Sequence, residues 1–343
     1  MRVCLILSAW CFWRPGRLLS SFRCAVSYVL VGLAAMTPGR ADTGAGPLGA
    51  GTRWTMLNVT PNQAQADCHL LEFPNGARVL IDAAEAADAP AILLPFLKAR
   101  GIRHLDLVVI SHFHADHYGR LRDLVDGGIK VDRVAGNLPA SRALADRETP
   151  WGMNWEAVQE LLQFLRDRQI SYFTPTAGEK LEEMTTASGT PVRLEVLCLY
   201  DGVHTPVGET DVNDTSIIVR LTHGASRALF TGDLNARLGS WLAEKGAVDL
   251  RADLLKAPHH GGEGTAPNEF YDRVAPQVLM VPTSRALWLS PRCARTRTYV
   301  GDQHIPACVT GLDGTVVVTF DPAGFSVSTA IDAQPSHYKG RGY

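Results

Sequence analysis

The spacing of hydrophobic and polar positions predicts alternating strands and helices from residue 53 onward. Apolar, β-branched runs predict strands at 54–59, 68–73, 77–82, 105–111, 192–199, 215–221, 227–231, 252–257, 277–281 and 315–320. Amphipathic periodicity predicts helices at 90–100, 117–126, 154–168, 234–245 and 267–274. Early strands follow one another closely, as hairpins do, whereas later strands bracket helices. This mixture favours an α/β fold with two sheets covered by helices over one doubly wound sheet.

The first 41 residues differ in kind from the rest of the chain. They contain five arginines and no acidic residue, and the apolar run 24–36 precedes Gly39 and Ala41. Small residues three and one positions before Asp42 are typical of a cleaved secretory signal. The apolar run is shorter than the roughly 20 residues that span a bilayer, so an uncleaved membrane anchor is the lesser alternative.

These features predict a periplasmic or secreted protein that has one folded domain. The predicted segments are a signal peptide at 1–41, a small-residue linker at 42–52, a folded domain at 53–330 and a polar C-terminal tail at 331–343. Contact with a membrane is expected only if the signal remains uncleaved.

Charge distinguishes the exported form from the whole chain. Removing residues 1–41 takes five of the 33 basic residues and none of the 35 acidic ones, which leaves 28 against 35 and a formal net charge of −7. A basic face supplies most of the non-specific affinity of proteins for nucleic acid. We therefore expect no tight binding of duplex DNA.

Four cysteines remain after residue 41, an even number in a compartment that permits disulfides. Cys293 and Cys308 flank one polar loop that contains little apolar material, and a disulfide between them is predicted to order it. Cys68 and Cys198 fall in predicted strands, where buried free thiols are the alternative to a disulfide.

A dense set of metal-binding side chains follows the strand predicted at 105–111. The run "SHFHADHYG" places His112, His114, Asp116 and His117 in one tight turn before a helix. Imidazole nitrogens and carboxylates suit zinc and related divalent ions. The alternation of His112 and His114 predicts that both rings face one ion, with Asp116 and His117 at a second position.

Two later strands also end in ligand types. Asp233 follows the strand predicted at 227–231, where its carboxylate could bridge two ions, and His259 and His260 follow the strand at 252–257. Each feature alone is weak, because an aspartate after Thr-Gly is most often a turn or N-cap residue. Together with the first motif they form a set.

The ordered set resembles the metallo-β-lactamase superfamily. The run from His112 to His117 resembles its second motif, Asp82 the first, Asp233 the fourth and His259 the fifth. The segments "QADCHLLEF", "NDTSIIVRL", "LFTGDL", "LKAPHHGG" and "VTGLDGTVVV" resemble the hydrolase domain of ComEC-type DNA-uptake proteins and freestanding relatives. The resemblance implies a four-layer αββα sandwich that holds two divalent metal ions, Zn or Mn, at one edge.

One departure from the superfamily pattern concerns the third motif, which usually supplies a further histidine. Asn213 and Asp214 stand at the equivalent place in "ETDVNDTS", and water or Asn213 could complete the first metal position. His204 and His223 are weaker substitutes for the absent imidazole.

The ligand set predicts a division of roles. We expect one ion on His112, His114 and Asp233. We expect the other on Asp116, His117, Asp233 and His259. His260 and Asn213 are predicted to face the substrate, with Asp116 counted among both ligands and catalytic residues. Asp67 and Asp82 are predicted to orient ligand histidines.

A metal-activated water can attack an ester, an amide or a phosphodiester. The ComEC-type resemblance favours a phosphodiester, in nucleic acid or a nucleotide. Hydrolysis of a lactone, thioester or β-lactam is the alternative, as is a non-catalytic metal-binding scaffold. The segment 133–179, with Trp151, Met153 and Trp155, could form a wall or lid over the site, or core.

Overall fold

The computed structural model describes residue 49 and residues 51–59, 65–85, 92–331 and 336–341. The signal peptide predicted at 1–41 and most of the linker predicted at 42–52 lie outside the described residues. The described elements belong to one compact unit, Thr43–Tyr343. Within these ranges, no helix has both the length and the apolar character needed to cross a membrane.

The described residues form eighteen strands and ten α-helices, with several runs of consecutive strands. The strands are β1 Thr52–Met56, β2 Cys68–Glu72, β3 Arg78–Ala83, β4 His104–Leu105, β5 Leu107–Ile110, β6 Lys130–Val131, β7 Arg133–Gly136, β8 Ser171–Phe173, β9 Lys180–Thr185, β10 Pro191–Cys198, β11 Ile218–His223, β12 Ser226–Phe230, β13 Leu254–Lys256, β14 Val278–Val281, β15 Ala307–Val309, β16 Val316–Asp321, β17 Gly324–Thr329 and β18 Ser336–Lys339. The α-helices are α1 Leu93–Ala99, α2 Ala115–Tyr118, α3 Leu121–Asp126, α4 Arg142–Arg147, α5 Trp155–Asp167, α6 Ala236–Lys245, α7 Asn268–Val274, α8 Arg285–Leu289, α9 Ala294–Asp302 and α10 Thr310–Asp313. Short 3-10 helices lie at Thr149–Trp151, Asn213–Thr215, Pro258–Gly261 and Pro291–Cys293.

Two large sheets organise the fold. The first has nine strands in the order β18-β17-β16-β1-β2-β3-β5-β7-β8, and the second has seven in the order β15-β14-β13-β12-β11-β10-β9. Each sheet combines antiparallel pairs with a parallel half. The parallel pairs are β3 with β5, β5 with β7, β7 with β8, β12 with β13, β13 with β14 and β14 with β15.

Three hydrophobic cores separate four layers. Trp54, Phe230 and Phe320 belong to the core between the sheets. A second core packs the outer face of the nine-stranded sheet against residues of α1 and α3 to α5. A third core packs the seven-stranded sheet against residues of α6 to α9. The predicted αββα sandwich is therefore confirmed.

Local sequence explains the elements that the pattern predicted well. Helix α5 begins where the Asn154 side chain accepts a hydrogen bond of 2.9 Å from the backbone N–H of Ala157. Its buried residues Val158, Leu161 and Leu165 recur at helical spacing. These features account for the agreement between the helix predicted at 154–168 and the observed α5.

The structure changes the predictions for residues 117–126 and 331–343, and it decides between the alternatives left open for segment 133–179. The helix predicted at 117–126 is two short helices, α2 and α3, separated at Gly119 and Arg120. The segment 133–179 supplies β7, α4, α5 and β8, so most of it is sheet and core rather than a lid. The predicted polar tail contains β18, where Tyr338 stacks on Phe325 with ring centroids 5.1 Å apart.

The predicted disulfide between Cys293 and Cys308 is absent, and all four cysteines of the described residues are free thiols. Cys293 packs into the core under the helices, whereas Cys308 packs against the core between the sheets. The two thiols thus lie toward opposite faces of the seven-stranded sheet. The loop needs no crosslink because it contains α9, whose Tyr299 and Val300 are buried.

Candidate metal centre

The ends of several parallel strands bring the candidate residues together. Ser111 follows β5 in the first sheet, and Gly232 and Ala257 follow β12 and β13 in the second. A hydrogen bond of 2.9 Å from the backbone N–H of Ile217 to the carbonyl of Ser111 joins the two sheets at this edge. The motif predicted after β5 therefore faces the motifs predicted after β12 and β13.

Two carboxylates and two imidazoles form a tight group, Asp116, His117, Asp233 and His260, whose ligand atoms all lie within 4.8 Å of one another. Nε2 of His117 lies 3.4 Å from Oδ2 of Asp233 and 3.7 Å from Oδ1 of Asp116. Nε2 of His260 lies 3.2 Å from Oδ2 of Asp233 and 3.4 Å from Oδ2 of Asp116. In a tetrahedral zinc site, with ligand atoms about 2.0–2.2 Å from the ion, neighbouring ligand atoms lie roughly 3.3–3.6 Å apart.

The far nitrogen of each ring fixes which nitrogen can bind an ion. Nδ1 of His117 lies 2.9 Å from Oδ2 of Asp82, and Nδ1 of His260 lies 3.0 Å from the carbonyl of Pro282. Both partners are acceptors, so each Nδ1 donates and each neutral ring keeps its lone pair on Nε2. These buried Nε2 atoms have no hydrogen-bond partner among the described residues. Such outer partners are typical of metal-binding histidines, and the residues fit a divalent ion.

The charge balance of this group also favours a cation. Burial opposes the charged form of His117, but the carboxylates of Asp233 and Asp116 outweigh burial and raise its pKa well above the ordinary value. Burial likewise opposes ionisation of Asp233, yet His260 and His117 hold the pKa of its carboxyl well below the usual range. The surroundings therefore stabilise positive charge between these side chains.

A second group lies beside the first. Nε2 of His112 lies 3.1 Å from Nδ1 of His114, and that nitrogen lies 3.0 Å from Oδ1 of Asn213. The 3-10 helix Asn213–Thr215 before β11 positions the amide. Burial lowers the pKa of both histidines, so the rings are neutral, the form in which imidazole binds metal.

The two adjacent histidines after β13 occupy different places. His259 and His260 both have left-handed backbone, with φ of 47° and 53°. The His260 side chain is 1% exposed and joins the tight group. The His259 side chain, 14% exposed, lines the cleft with Nε2 3.9 Å from Oδ2 of Asp233. Non-glycine residues in this region cost about 1–3 kcal/mol each, and such strain is concentrated at functional sites.

A buried lysine beside the tight group was not anticipated. Nζ of Lys256 lies 2.6 Å from Oδ2 of Asp67 and 3.2 Å from Oδ1 of Asp233, and it donates to the carbonyl of Gly232 at 2.7 Å. Because Lys256 holds Oδ1 of Asp233, only Oδ2 faces the histidines. The signal in the sequence was a lysine at the end of the apolar run "ADLLK".

Aspartates around the centre hold the ligands in place. Asp82 accepts hydrogen bonds from both the backbone N–H (2.7 Å) and the hydroxyl (2.8 Å) of Ser111, besides contacting His117. Oδ1 of Asp67 lies 3.2 Å from Nδ1 of His260. Both aspartates are buried. Each contacts Nδ1 of a histidine of the tight group, and their role in orienting metal ligands remains a prediction.

The two substitute histidines lie away from this centre. His204 is exposed, and its Nδ1 lies 2.7 Å from Oδ2 of Asp201. His223 is at the opposite end of β11 from Asn213, where its Nδ1 lies 2.9 Å from the hydroxyl of Thr52. Neither imidazole stands in for the third-motif histidine.

A cleft of 610 Å³ opens onto both groups. Its lining residues are Gln65, His114, Asp116, Glu148, Pro150, Trp151, Asp211, Asn213, Asp233, His259, Glu263, Gly264 and Arg292. Trp151 is 76% exposed, whereas Met153 is fully buried in the core and Trp155 packs against it. The wall predicted from segment 133–179 thus consists of the turn around Trp151 alone.

The comparison with protein families agrees with this geometry. The model of the metallo-beta-lactamase superfamily matches residues 61–270, more than half of the chain. The chain belongs to the metallo-beta-lactamase superfamily. It is a metal-dependent hydrolase of that superfamily, and its fold implies the use of divalent metal ions.

This superfamily member is similar in sequence to two curated proteins. It is 25% identical over 194 residues to ComE operon protein 3 of Bacillus subtilis (strain 168), covering 57% of the chain and 22% of the relative. It is 23% identical over 211 residues to competence protein ComA of Neisseria gonorrhoeae, covering 61% of the chain and 24% of the relative. The match thus spans less than a quarter of each relative.

Solved structures also resemble the chain. Igni18, described as a novel metallo hydrolase from the hyperthermophilic archaeon Ignicoccus hospitalis KIN4/I, superimposes with a TM-score of 0.47 at 14% identity. The superposition covers 78% of this chain and 99% of Igni18. CmlA, described as a diiron beta-hydroxylase from Streptomyces venezuelae, gives a TM-score of 0.48 at 13% identity, over 76% of this chain and 54% of CmlA.

Replacement of Asp82 tests the support of His117. We expect Asp82→Ala to weaken metal binding by roughly 10- to 100-fold, because outer hydrogen-bond partners contribute that much to the affinity of metal sites. Metal affinity is measured by competition with a chelator of known affinity. The matched control is Asp253→Ala, since buried Asp253 likewise accepts a backbone N–H, that of Arg227, away from the ligands at the start of β12 and β13. Equal metal affinities of the Asp82→Ala variant and the control variant would contradict the assignment of Asp82 as the support of His117.

Proposed function

We propose that this protein is an exported hydrolase of phosphodiesters that uses two divalent ions, zinc or manganese. The observation that carries the proposal is the pair of adjacent ligand groups that open into one cleft. Two neighbouring ions are suited to stabilising both the attacking and the leaving oxygen of a phosphoryl displacement. The resemblance to the hydrolase domain of ComEC-type DNA-uptake proteins, and the similarity to ComE operon protein 3 and competence protein ComA, support a phosphodiester substrate.

The geometry supports a revised assignment of ligands. We assign one ion to Nε2 of His112, Nδ1 of His114 and Oδ1 of Asn213. We assign the other to His117, His260 and the carboxylates of Asp116 and Asp233. In this assignment His260 is a metal ligand rather than a substrate-binding residue, and His259 lines the cleft wall rather than binding metal. Asn213 becomes a ligand in place of the third-motif histidine.

The ions, when bound, activate a water molecule and neutralise charge on the phosphoryl oxygens. His259 is placed to move the proton. Its Nδ1 donates to Oδ1 of Asn235 at 2.9 Å, because the Asn235 amide nitrogen is engaged by Asp211, and so Nε2 keeps its lone pair. Burial lowers the pKa of His259, which keeps the ring neutral and able to accept a proton.

Hydrolysis forms one bond to phosphorus and breaks another. The water oxygen bonds to phosphorus, and the bond from phosphorus to the leaving oxygen breaks. Nε2 of His259 accepts the proton of the water and returns it to the leaving oxygen, so the products are a phosphomonoester and an alcohol. Lys256 holds Asp233 throughout by its ion pair, and Asp67 balances the charge of the ammonium group.

Metal removal tests the proposed function. We expect a chelator to abolish hydrolysis of bis-p-nitrophenyl phosphate, and added zinc or manganese to restore it, because the proposed reaction depends on ions bound by the two ligand groups. A lactone and a cephalosporin serve as comparison substrates for the alternative hydrolases. Two bound ions without turnover of any substrate would instead support a metal-binding scaffold.

Export is tested at the N-terminus. We expect the protein recovered from the periplasm or the medium to begin near Asp42, because small residues precede that position by one and three residues. N-terminal sequencing or intact mass measures the cleavage site. A soluble cytoplasmic form that keeps residues 1–41 would contradict export.

A further inference from the structure

The charges along the cleft wall restrict what can enter. Beyond the ligand groups, the described lining contains the acidic residues Glu148, Asp211 and Glu263, and Arg292 is its one lysine or arginine. Oδ2 of Asp211 is held by the amide of Asn235 at 2.6 Å, and Oε2 of Glu148 lies 4.0 Å from Nε2 of His114. A nucleic-acid strand would bring its successive phosphates against these carboxylates, whereas strand-binding grooves are positively charged.

One cation on the wall is available to an anionic group. The guanidinium of Arg292 forms no ion pair with a carboxylate anywhere in the described ranges. A side chain on Gly262 would contact Arg292, so Arg292 lies next to the turn that contains His259 and His260. The described part of the wall therefore offers one basic side chain, enough for a single phosphate group and too little for a strand.

An exposed aromatic ring lies on the same cleft. Trp151 is the most exposed of the large hydrophobic residues in the described chain, at 76%. Its turn is tied to the metal motif, because the backbone N–H of Ala115 donates to the carbonyl of Gly152 at 3.1 Å. Bases stack on exposed aromatic side chains in proteins that bind single-stranded nucleic acid. Trp151 thus offers a platform for one ring.

We propose that the cleft accepts a short nucleotide phosphodiester, with one phosphate at the ligand groups and one base on Trp151, and that it rejects a nucleic-acid strand. This specificity rests on the proposed function. The phosphate meets the ions and Arg292, the base covers Trp151, and the acidic wall repels further phosphates. Among the described lining residues, one basic side chain and one exposed ring match one nucleotide unit.

Substrate length and binding test the specificity together. With both ions loaded, we expect thymidine dinucleotide to be hydrolysed at least about 10-fold faster per phosphodiester than a twelve-residue oligothymidylate. Glu263→Lys should narrow this ratio, because it replaces a repulsive charge with an attractive one. Equal or faster hydrolysis of the oligonucleotide by the unchanged protein would overturn the proposal.

A binding measurement separates this inference from the proposed function. Calorimetry with thymidine monophosphate needs no turnover, and we expect Trp151→Ala to weaken binding by roughly 10-fold, as expected for loss of base stacking. Leu289→Ala, another exposed apolar residue that does not line the cleft, should leave binding unchanged. Trp151→Phe should recover part of the affinity.

The possible outcomes are distinct. If no phosphodiester is hydrolysed but thymidine monophosphate binds with this dependence on Trp151, the proposed reaction fails and the nucleotide specificity stands. If phosphodiesters are hydrolysed but Trp151→Ala binds as tightly as the unchanged protein, the specificity fails and the reaction stands. Arg292→Gln should weaken binding of the monophosphate, with Arg285→Gln as the matched control outside the cleft lining.

Discussion

Asp233→Ala is expected to lose most hydrolysis and about one equivalent of bound metal. Oδ2 of Asp233 lies within 3.4 Å of Nε2 of both His117 and His260, so its removal takes away the carboxylate shared by two ligands. Loss of a direct ligand weakens a site by more than the roughly 10- to 100-fold that follows loss of an outer partner. We therefore expect the rate of phosphodiester hydrolysis to fall by well over about 100-fold.

Folding of this variant is the first concern, because Asp233 also pairs with buried Lys256. Lys256 keeps its contact with Asp67 at 2.6 Å and with the carbonyl of Gly232, so the ammonium group is not left without a partner. Circular dichroism should show a folded protein, and metal analysis should show the lost ion. Asp249→Ala, at the partly exposed ion pairs with Arg227 and Arg251, is the control. Full activity of Asp233→Ala with two ions bound would refute the site.

The second large effect distinguishes two adjacent histidines. His260→Ala should lose metal and hydrolysis to the same degree as Asp233→Ala, because buried His260 contacts both carboxylates of the tight group. His259→Ala should retain both ions and lose activity only, because His259 lies on the cleft wall. The measurement is metal content alongside the rate of hydrolysis.

The contrast between the two variants decides the ligand assignment. The sequence alone suggested the reverse, with His259 on the metal and His260 at the substrate. If His259→Ala lost an ion while His260→Ala kept both, that earlier assignment would be right. The two histidines are neighbours with similar backbone conformation, so each variant serves as the control for the other.

Much of the fold could be predicted because burial leaves a clear pattern. Strand β12 was found at 227–231 as an apolar run, and α5 was found from its helical spacing. The sequence pattern did not predict short or polar elements. β8 has three residues, and α9 has the sequence "ARTRTYVGD", whose buried residues include Thr296 beside Tyr299 and Val300. Their burial depends on neighbours that are distant in sequence, which local patterns do not report.

The candidate site was predictable as a set of residues but not as an arrangement. Ligand types at strand ends identified His112, Asp116 and Asp233, since parallel strands of a sheet end at a common edge. The sequence does not predict which way each imidazole ring points, because the left-handed backbone at His259 and His260 turns only one of the two rings inward. Lys256 was missed because a lysine at a strand end is ordinarily solvated.

The ligand groups draw on both sheets, and this has a consequence for stability. His112 to His117 follow β5 of the nine-stranded sheet, whereas Asp233 and His260 follow β12 and β13 of the seven-stranded sheet. Ions bound between them would fasten the two halves of the sandwich to each other. A ligand present at 1,000 times its dissociation constant adds about 4 kcal/mol to the free energy of unfolding. The metal supply where the chain folds would then govern how long the protein persists, as well as how fast it works.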